Sequence, residues 1–320
     1  MAEGERKKLT LAVVPLTGCG GCEVQVLRTF ELYPELNEMY EVVYWPLVVE
    51  EEELPEKVDV VLVEGAVRMK KDVEMLRRAR AAARYLIALG SCAAFGGING
   101  QADYFPAVEN MKLVYGRERL EKSEELLERV YAAADLVPVD FIISRCPPLP
   151  EVIRSVLVNI YEGKKPPTAI ATVCAQCPRV MKPIEQPIDE KFFKKGLPGP
   201  DADPNVCFLS QGYLCLGPVT IVGCGAPCTR AGIPCFGCGG PAPDIAVRRD
   251  QDIPVAIARI IATLAGMDPI EGGEKVLKIL EKVYGLRRFY AFTLESEVFR
   301  RKPRAFAIRL LAEKRRGSQG

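Results

Sequence analysis

The chain has 320 residues, of which 48% are hydrophobic and 27% are charged, a composition typical of a folded globular protein rather than of a disordered segment. Its 43 Lys and Arg balance 42 Asp and Glu, so the net charge of +1 provides no general attraction for nucleic acid. The sequence contains no histidine, which excludes Ser-His-Asp and Cys-His catalysis, and histidine-bound zinc or haem, within this chain.

The first half of the chain alternates short apolar runs with helical patterns. Five runs have the length and composition of buried strands: residues 9–16, 40–45, 58–63, 85–89 and 139–144. Helical spacing follows three of them, at residues 23–33, 70–84 and 149–161. Strands that alternate with helices predict a doubly wound parallel sheet of the α/β class. Ligands of such sheets bind beyond the carboxyl ends of the strands.

Four of the twelve cysteines directly follow these predicted strands, and they are Cys19, Cys22, Cys92 and Cys146. Because the carboxyl ends of parallel strands meet at one edge, we expect the four thiols to converge there on one large cofactor. The loop TGCGGC around the first pair contains Gly18, Gly20 and Gly21, which permit tight turns and a close backbone approach. It lacks the third glycine of a dinucleotide loop, since Glu23 stands there, so the loop does not favour nucleotide binding.

The other eight cysteines lie in residues 164–240, a segment that is rich in Pro and Lys and has little periodicity. A segment that cannot easily build an apolar core but carries eight thiols predicts metal centres as its structural support. Neighbourhood along the chain divides them into two sets: Cys174, Cys177, Cys207 and Cys215, and Cys224, Cys228, Cys235 and Cys238.

Three kinds of cysteine chemistry are candidate explanations of these spacings: disulfides, zinc sites and iron–sulfur clusters. Disulfides form in oxidising compartments, and the chain shows no secretion signal. Cys-x-x-Cys pairs at positions 19/22, 174/177 and 235/238 suit four-thiolate zinc, and they suit iron–sulfur clusters equally well. The wide separation of the first four cysteines along the chain favours one large cofactor over a compact zinc ribbon.

The C-terminal part is predicted to be helical, with amphipathic spacing at residues 252–266 and 272–285. Residues 287–316 then hold ten Lys or Arg against three Glu, interleaved with Phe289, Tyr290, Phe292, Phe299 and Phe306. Two interpretations stay open for this segment: docking onto an acidic partner subunit, or a solvated basic tail. The sequence thus predicts a sheet domain, a cysteine-rich domain and a helical extension: residues 1–163, 164–243 and 244–320.

Five motifs occur in the order found in the small subunit of nickel–iron hydrogenases: TGCGGCE (17–23), VEGAV (63–67), GSCAAFGG (90–97), CPPLPEVI (146–153) and QGYLCLGPVTIVGCGAPC…PCFGCGGP (211–241). Through them, residues 10–243 resemble that family. The likeness is greatest to the cytoplasmic, methyl-viologen-reducing archaeal type that works with heterodisulfide reductase. The small subunit of a cytoplasmic NAD(P)-linked hydrogenase or sulfhydrogenase is the second resemblance.

The resemblance implies a flavodoxin-like first domain and three 4Fe–4S clusters in a row. It implies that a separate large subunit holds the nickel–iron site and that this chain passes electrons to a further iron–sulfur or flavin subunit. The implied ligands are Cys19, Cys22, Cys92 and Cys146 for the proximal cluster, Cys224, Cys228, Cys235 and Cys238 for the medial cluster, and Cys174, Cys177, Cys207 and Cys215 for the distal cluster. Periplasmic relatives have histidine where Cys174 stands and often a three-iron medial cluster, and this chain departs from both.

Two carboxylates are expected near the proximal site, because Glu23 follows the first cysteine pair and Glu64 ends the third predicted strand. Either could contact the ligands or relay protons. The alternatives are a helix-terminal Glu that satisfies the helix dipole and a Glu at a subunit interface.

Two competing functions are a zinc-stabilised interaction protein and a quinone-reductase-type subunit with a proximal cluster alone. The eight later cysteines argue against the second of these. No run of 18 apolar residues is present, and no cleavage site or twin-arginine pattern stands near Met1, so we expect a cytoplasmic protein without a membrane span or a nucleic-acid partner.

Overall fold

The computed structural model describes residues 7–50, 53–116, 125–285 and 287–300. The chain divides into two compact units, Met1–Thr168 and Ala169–Gly320. The three-domain division proposed from the sequence stays a prediction. Over the described ranges, no helix combines the length and the apolar character that a membrane crossing requires.

The first unit is built on a five-stranded parallel sheet. Across the sheet, its strands lie in the order β2 (Tyr40–Tyr44), β1 (Leu9–Pro15), β3 (Val58–Glu64), β5 (Ala83–Leu89) and β7 (Phe141–Ile143). Every neighbouring pair is parallel. Counted along the chain, the strand order is 2-1-3-4-5, which is that of flavodoxin-like sheets and confirms the predicted fold class.

Helices connect these strands. They are α1 (Gly21–Leu32), α2 (Leu36–Met39), α3 (Lys70–Ala82), α4 (Gly90–Phe95), α5 (Ala107–Tyr115), α6 (Ala133–Leu136) and α7 (Pro150–Tyr161). The structure adds an antiparallel pair that the sequence pattern does not predict, β4 (Val67–Met69) with β6 (Leu126–Tyr131). Both strands are short and only partly buried, so neither produces a long apolar run.

Helices cover both faces of the sheet, which explains why its strands are apolar throughout. On one face, Leu11 and Leu62 lie in a core cluster with side chains of α1 and α7. On the opposite face, Val14 and Val61 lie in a second cluster with side chains of α3. Successive strand residues point to opposite faces, so a strand buried on both sides has no polar alternation.

The second unit consists of short elements and one helical pair. Its helices are α8 (Pro227–Arg230), α9 (Pro243–Val247), α10 (Ile253–Leu264), α11 (Glu271–Tyr284) and α12 (Glu297–Arg300). Helices α10 and α11 pack against each other, as their amphipathic patterns predict. Before α9, the cysteine-rich segment contains single 3-10 turns and isolated bridges, in line with its lack of periodicity.

Aromatic residues of the basic C-terminal segment belong to the core of this second unit. Phe289, Tyr290 and Phe299 are at most 1% exposed. The Tyr290 hydroxyl donates a hydrogen bond to Asp252 Oδ2 at 2.6 Å. The prediction of a docking or solvated segment is therefore wrong for these three residues, because their rings are used internally. Phe306 and the basic residues 301–316 lie outside the described residues.

Candidate metal centres

The first cysteine group, Cys19, Cys22, Cys92 and Cys146, lies at the carboxyl edge of the parallel sheet. Cys19 and Cys22 follow β1, Cys92 lies in the first turn of α4 directly after β5, and Cys146 follows β7. These strands lie close together in the sheet, so their carboxyl ends bring the four thiols to one edge.

The thiols of this group lie close enough to affect one another's ionisation. Burial raises the pKa of the Cys22 thiol well above its usual value, and the nearby charge of Glu64 adds to the rise. Cys92, Cys146 and Cys19 raise it further. Burial likewise raises the pKa of Cys92 to about 11, with Cys146 as the largest charged contributor. Thiols in such a setting ionise readily only when a cation is bound to them.

Backbone contacts fix two of these thiols relative to each other. The Ser91 N–H donates to the Arg145 carbonyl at 2.9 Å, and the Arg145 N–H donates to Ser91 Oγ at 3.1 Å. Because Ser91 precedes Cys92 and Arg145 precedes Cys146, this reciprocal pair joins two ligand loops that are distant in sequence. Nothing in the local pattern of either segment predicts the pairing.

Glycine is required at position 97, where the chain after α4 packs against Cys92. Gly97 has a φ of +55°, and a Cβ there would lie 2.5 Å from Cys92 Sγ. No side chain fits at that distance, and the backbone conformation favours glycine as well. The backbone around these thiols is therefore closely packed. Together, the four sulfurs form a donor set that fits a four-iron cluster.

The two predicted carboxylates are buried beside this group. Glu23 and Glu64 are each 3% exposed. The Trp45 indole Nε1–H donates to Glu23 Oε2 at 2.6 Å. Burial, with the charge of Glu23, raises the pKa of Glu64 to about 7. Sequence reasoning located both carboxylates but missed Trp45, whose only signal is its position at the end of β2.

The second cysteine group, Cys174, Cys177, Cys207 and Cys215, surrounds a cavity of about 240 Å³ within the second unit. Apolar side chains, among them Val173 and Phe208, form most of the rest of its lining. Burial raises the pKa of Cys174 to about 12 and that of Cys215 to about 12 as well. Four thiols around one largely apolar cavity fit the donor requirement of an iron–sulfur cluster.

A guanidinium that the sequence analysis did not identify stands at this cavity. The Arg179 guanidinium carbon lies 3.9 Å from the Phe208 ring centroid, and its nitrogens donate to the carbonyls of Thr229 and Val206 at 3.0 Å and 3.1 Å. Burial raises the pKa of Cys207, and the Arg179 charge opposes that rise. Arg179 thus holds the backbone at Val206 and Thr229 through hydrogen bonds, and it places a positive charge beside the Cys207 thiol.

The third cysteine group is Cys224, Cys228, Cys235 and Cys238. Burial raises the pKa of Cys228, and the neighbouring Cys238 and Cys224 raise it further. Burial raises the pKa of Cys235 to about 12, with contributions from Cys215 and Cys238. The backbone N–H of Cys235 donates to Cys215 Sγ at 3.2 Å. Cys235 thus lies next to both groups of this unit, and one hydrogen bond joins them.

Across the described part of the chain, no three Cys, Asp or Glu side chains converge as ligands of a single metal ion do. Ligands of one zinc ion share a centre about 2.3 Å from each sulfur. A four-iron cluster is wider, because each of its irons takes its own thiolate.

Comparison with known proteins identifies several relatives. The sequence profile of the family described as NADH ubiquinone oxidoreductase, 20 Kd subunit, matches residues 19–160, which include the whole first cysteine group. The G subunit of the vhu F420-non-reducing hydrogenase of Methanocaldococcus jannaschii is 34% identical over 306 residues, which cover 92% of this chain and 99% of that protein.

Two further relatives come from other archaea. The iron-sulfur subunit of the F420-non-reducing hydrogenase of Archaeoglobus profundus is 32% identical and covers 73% of this chain and 83% of that protein. Sulfhydrogenase 2 subunit delta of Pyrococcus furiosus is 35% identical and covers 74% of this chain and 88% of that protein. The similarity to all three extends beyond residues 19–160, because each covers more of the chain than that segment.

Proposed function

We propose that this chain, which belongs to the family of the small subunits of F420-non-reducing hydrogenases, relays electrons from a hydrogen-splitting partner subunit to an acceptor subunit. The chain is thus a component of an oxidoreductase complex. The observation that carries the proposal is that twelve cysteines, enough for three sets of four ligands, lie in or beside buried sites, and that a hydrogen bond joins Cys235 of one proposed set to Cys215 of another. The name of the Archaeoglobus relative, an iron-sulfur subunit, supports it.

Each group would hold one 4Fe–4S cluster. In this proposal, the first group is proximal to the partner's active site, the third group is medial and the second group is distal. Such clusters supply one-electron transfer at potentials set by hydrogen bonds to sulfur, burial and nearby charge. The protein's contribution is to supply the thiolates, exclude water and hold the four thiols of each group in place.

The residues of the second unit support transfer between two of the sites. The Cys235 N–H, within the third group, donates directly to a thiol of the second group, Cys215. A hydrogen bond to a ligand sulfur stabilises its negative charge and favours the reduced cluster. Because the hydrogen bond also links a ligand residue of one proposed site directly to a ligand sulfur of the other, it provides a short path between the medial and distal sites.

The proposed partners follow from the family. A nickel–iron large subunit would face the first group, and the heterodisulfide reductase system is the proposed acceptor. The NAD(P)-linked or sulfhydrogenase type is the second candidate, because the Pyrococcus sulfhydrogenase subunit is 35% identical over 237 residues. The predicted cytoplasmic location is part of the same proposal.

Iron and acid-labile sulfide analysis of the chain, purified anaerobically with the large subunit as its sole partner, tests the proposal once the iron of the nickel–iron site is subtracted. We expect about twelve irons per chain, four for each cluster. The protein should be brown and should bleach on reduction. Stoichiometric zinc with no colour would support the zinc-stabilised interaction protein instead, and about four irons would limit the relay to one cluster.

A further inference from the structure

The C-terminal segment brings a positive charge to the third cysteine group. The Arg288 guanidinium carbon lies 4.5 Å from the centroid of the Phe236 ring. Phe236 directly follows Cys235 and stands two residues before Cys238 in the chain. The guanidinium is therefore held over the loop that carries two of the four thiols of this group.

Buried neighbours fix the segment that carries Arg288. Phe289 is 1% exposed and Tyr290 is 0% exposed. The Tyr290 hydroxyl donates to Asp252 Oδ2, and Oδ1 of the same carboxylate accepts the Val255 N–H at the start of α10. Because these contacts fix the backbone beside Arg288, only the rotamer freedom of its side chain remains to be lost when the guanidinium stacks on the ring.

The charge of Arg288 is not paired within the described ranges of the chain, because none of their carboxylates forms an ion pair with it. Stacking on an aromatic face leaves the positive charge intact, since the attraction is to the ring quadrupole. The charge also acts within the unit: burial raises the pKa of Tyr284, and the Arg288 charge opposes that rise.

We propose that Arg288 raises the reduction potential of the cluster held by the third cysteine group and that Phe236 positions its guanidinium for this purpose. The inference rests on the proposed function, because it requires a cluster at these four thiols. Reduction adds one electron, and therefore one negative charge, to a thiolate-bound centre. A nearby cation stabilises that added charge, so the reduced form gains relative to the oxidised form.

The test is a redox titration of the whole complex, followed by electron paramagnetic resonance, for three variants. Arg288→Gln removes the charge, Arg288→Lys keeps it, and Arg287→Gln removes the same charge from the neighbouring exposed position. A Cys238→Ser variant identifies the signal that belongs to the third group. We expect Arg288→Gln to lower the reduced-to-oxidised ratio of that signal, at fixed applied potential, by about threefold to tenfold. Tenfold corresponds to about 59 mV for one electron.

The controls separate charge from structure. Arg288→Lys should retain most of the wild-type potential, and Arg287→Gln should change it little, since exposed charges are screened by solvent. If Arg288→Gln loses iron, Phe236→Leu provides the second variant, because it removes the stacking surface and keeps an apolar side chain. It should lower the potential in the same direction.

Two failures have different meanings. An unchanged potential in Arg288→Gln, or in Phe236→Leu where the first variant loses iron, overturns the role of Arg288 and leaves the relay intact. If the wild-type protein shows no signal that depends on Cys238, the third group holds no cluster. That result overturns both this part of the proposed function and the inference about Arg288.

Discussion

Close packing around the first cysteine group leaves no room for a methyl group at Gly90. Its φ is +83°, and a Cβ there would collide with Cys22 Sγ. Gly163 has a similar φ of +72°, but a Cβ there would meet no atom within 4 Å. Substitution by alanine strains the backbone at both positions and adds a collision at only one.

We expect Gly90→Ala to lose about four irons per chain, because displacement of Cys22 removes a ligand of the proposed proximal cluster. Gly163→Ala should keep its full iron content and lose only about 1 kcal/mol of stability from its left-handed backbone. Iron and sulfide analysis of both anaerobically purified variants distinguishes the two effects. Full iron content in Gly90→Ala would contradict the assignment of Cys22 as a ligand.

At the scale of elements, the N-terminus of α10 depends on a buried carboxylate. Asp252 is 1% exposed, its side chain accepts the Val255 N–H, and it also accepts the Tyr290 hydroxyl at 2.6 Å. The Tyr290 ring packs edge-on against Phe299, with ring centroids 5.6 Å apart. One carboxylate therefore caps a helix and holds the C-terminal segment.

Replacing Tyr290 by phenylalanine keeps the ring and removes the hydroxyl donor. We expect Tyr290→Phe to lower the free energy of unfolding by about 1.5–3 kcal/mol, the range for hydrogen bonds to charged groups. Tyr115→Phe is the matched control: this ring is 62% exposed on α5, and the change should be within about 0.5 kcal/mol. Urea unfolding of the anaerobic protein, followed by circular dichroism, measures both. Equal midpoints would show that the Asp252 contact adds no stability.

At the scale of the whole molecule, the two units differ in what stabilises them. The first unit has a continuous apolar core on each face of its sheet. In the second unit, the cysteine-rich segment before α9 has single turns and isolated bridges, with eight cysteines among them. Burial of apolar surface maintains the first kind of structure, and the proposed clusters would maintain the second through metal–thiolate bonds.

Removal of iron should therefore loosen the two units unequally. After chelation of the full chain, we expect backbone amides of residues 170–240 to lose protection from hydrogen exchange, while amides of β3 and β5 keep theirs. Mass spectrometry of exchanged peptides before and after iron removal measures this. The untreated holoprotein is the reference. A uniform loss of protection, or none, would refute the structural role of the metal centres.

The sequence by itself determined the sheet and the convergence of the first cysteine group. Apolar runs of strand length specify β1, β3 and β5, because a strand buried on both faces needs no polar alternation. Parallel strands end at one edge, so cysteines placed after β1, β5 and β7 converge without further information. Both deductions use only local pattern and the direction of the strands.

Only the tertiary structure decided which charges and rings surround the thiols. Arg179 stacks on Phe208 and Arg288 on Phe236, pairs that are separated by tens of residues in the chain. The same holds for Phe289, which the basic composition of its segment predicted to be accessible and which is buried. Periodicity reports the face of an element and composition reports average exposure, but neither specifies a contact between distant segments. Such contacts arise only when the whole core packs.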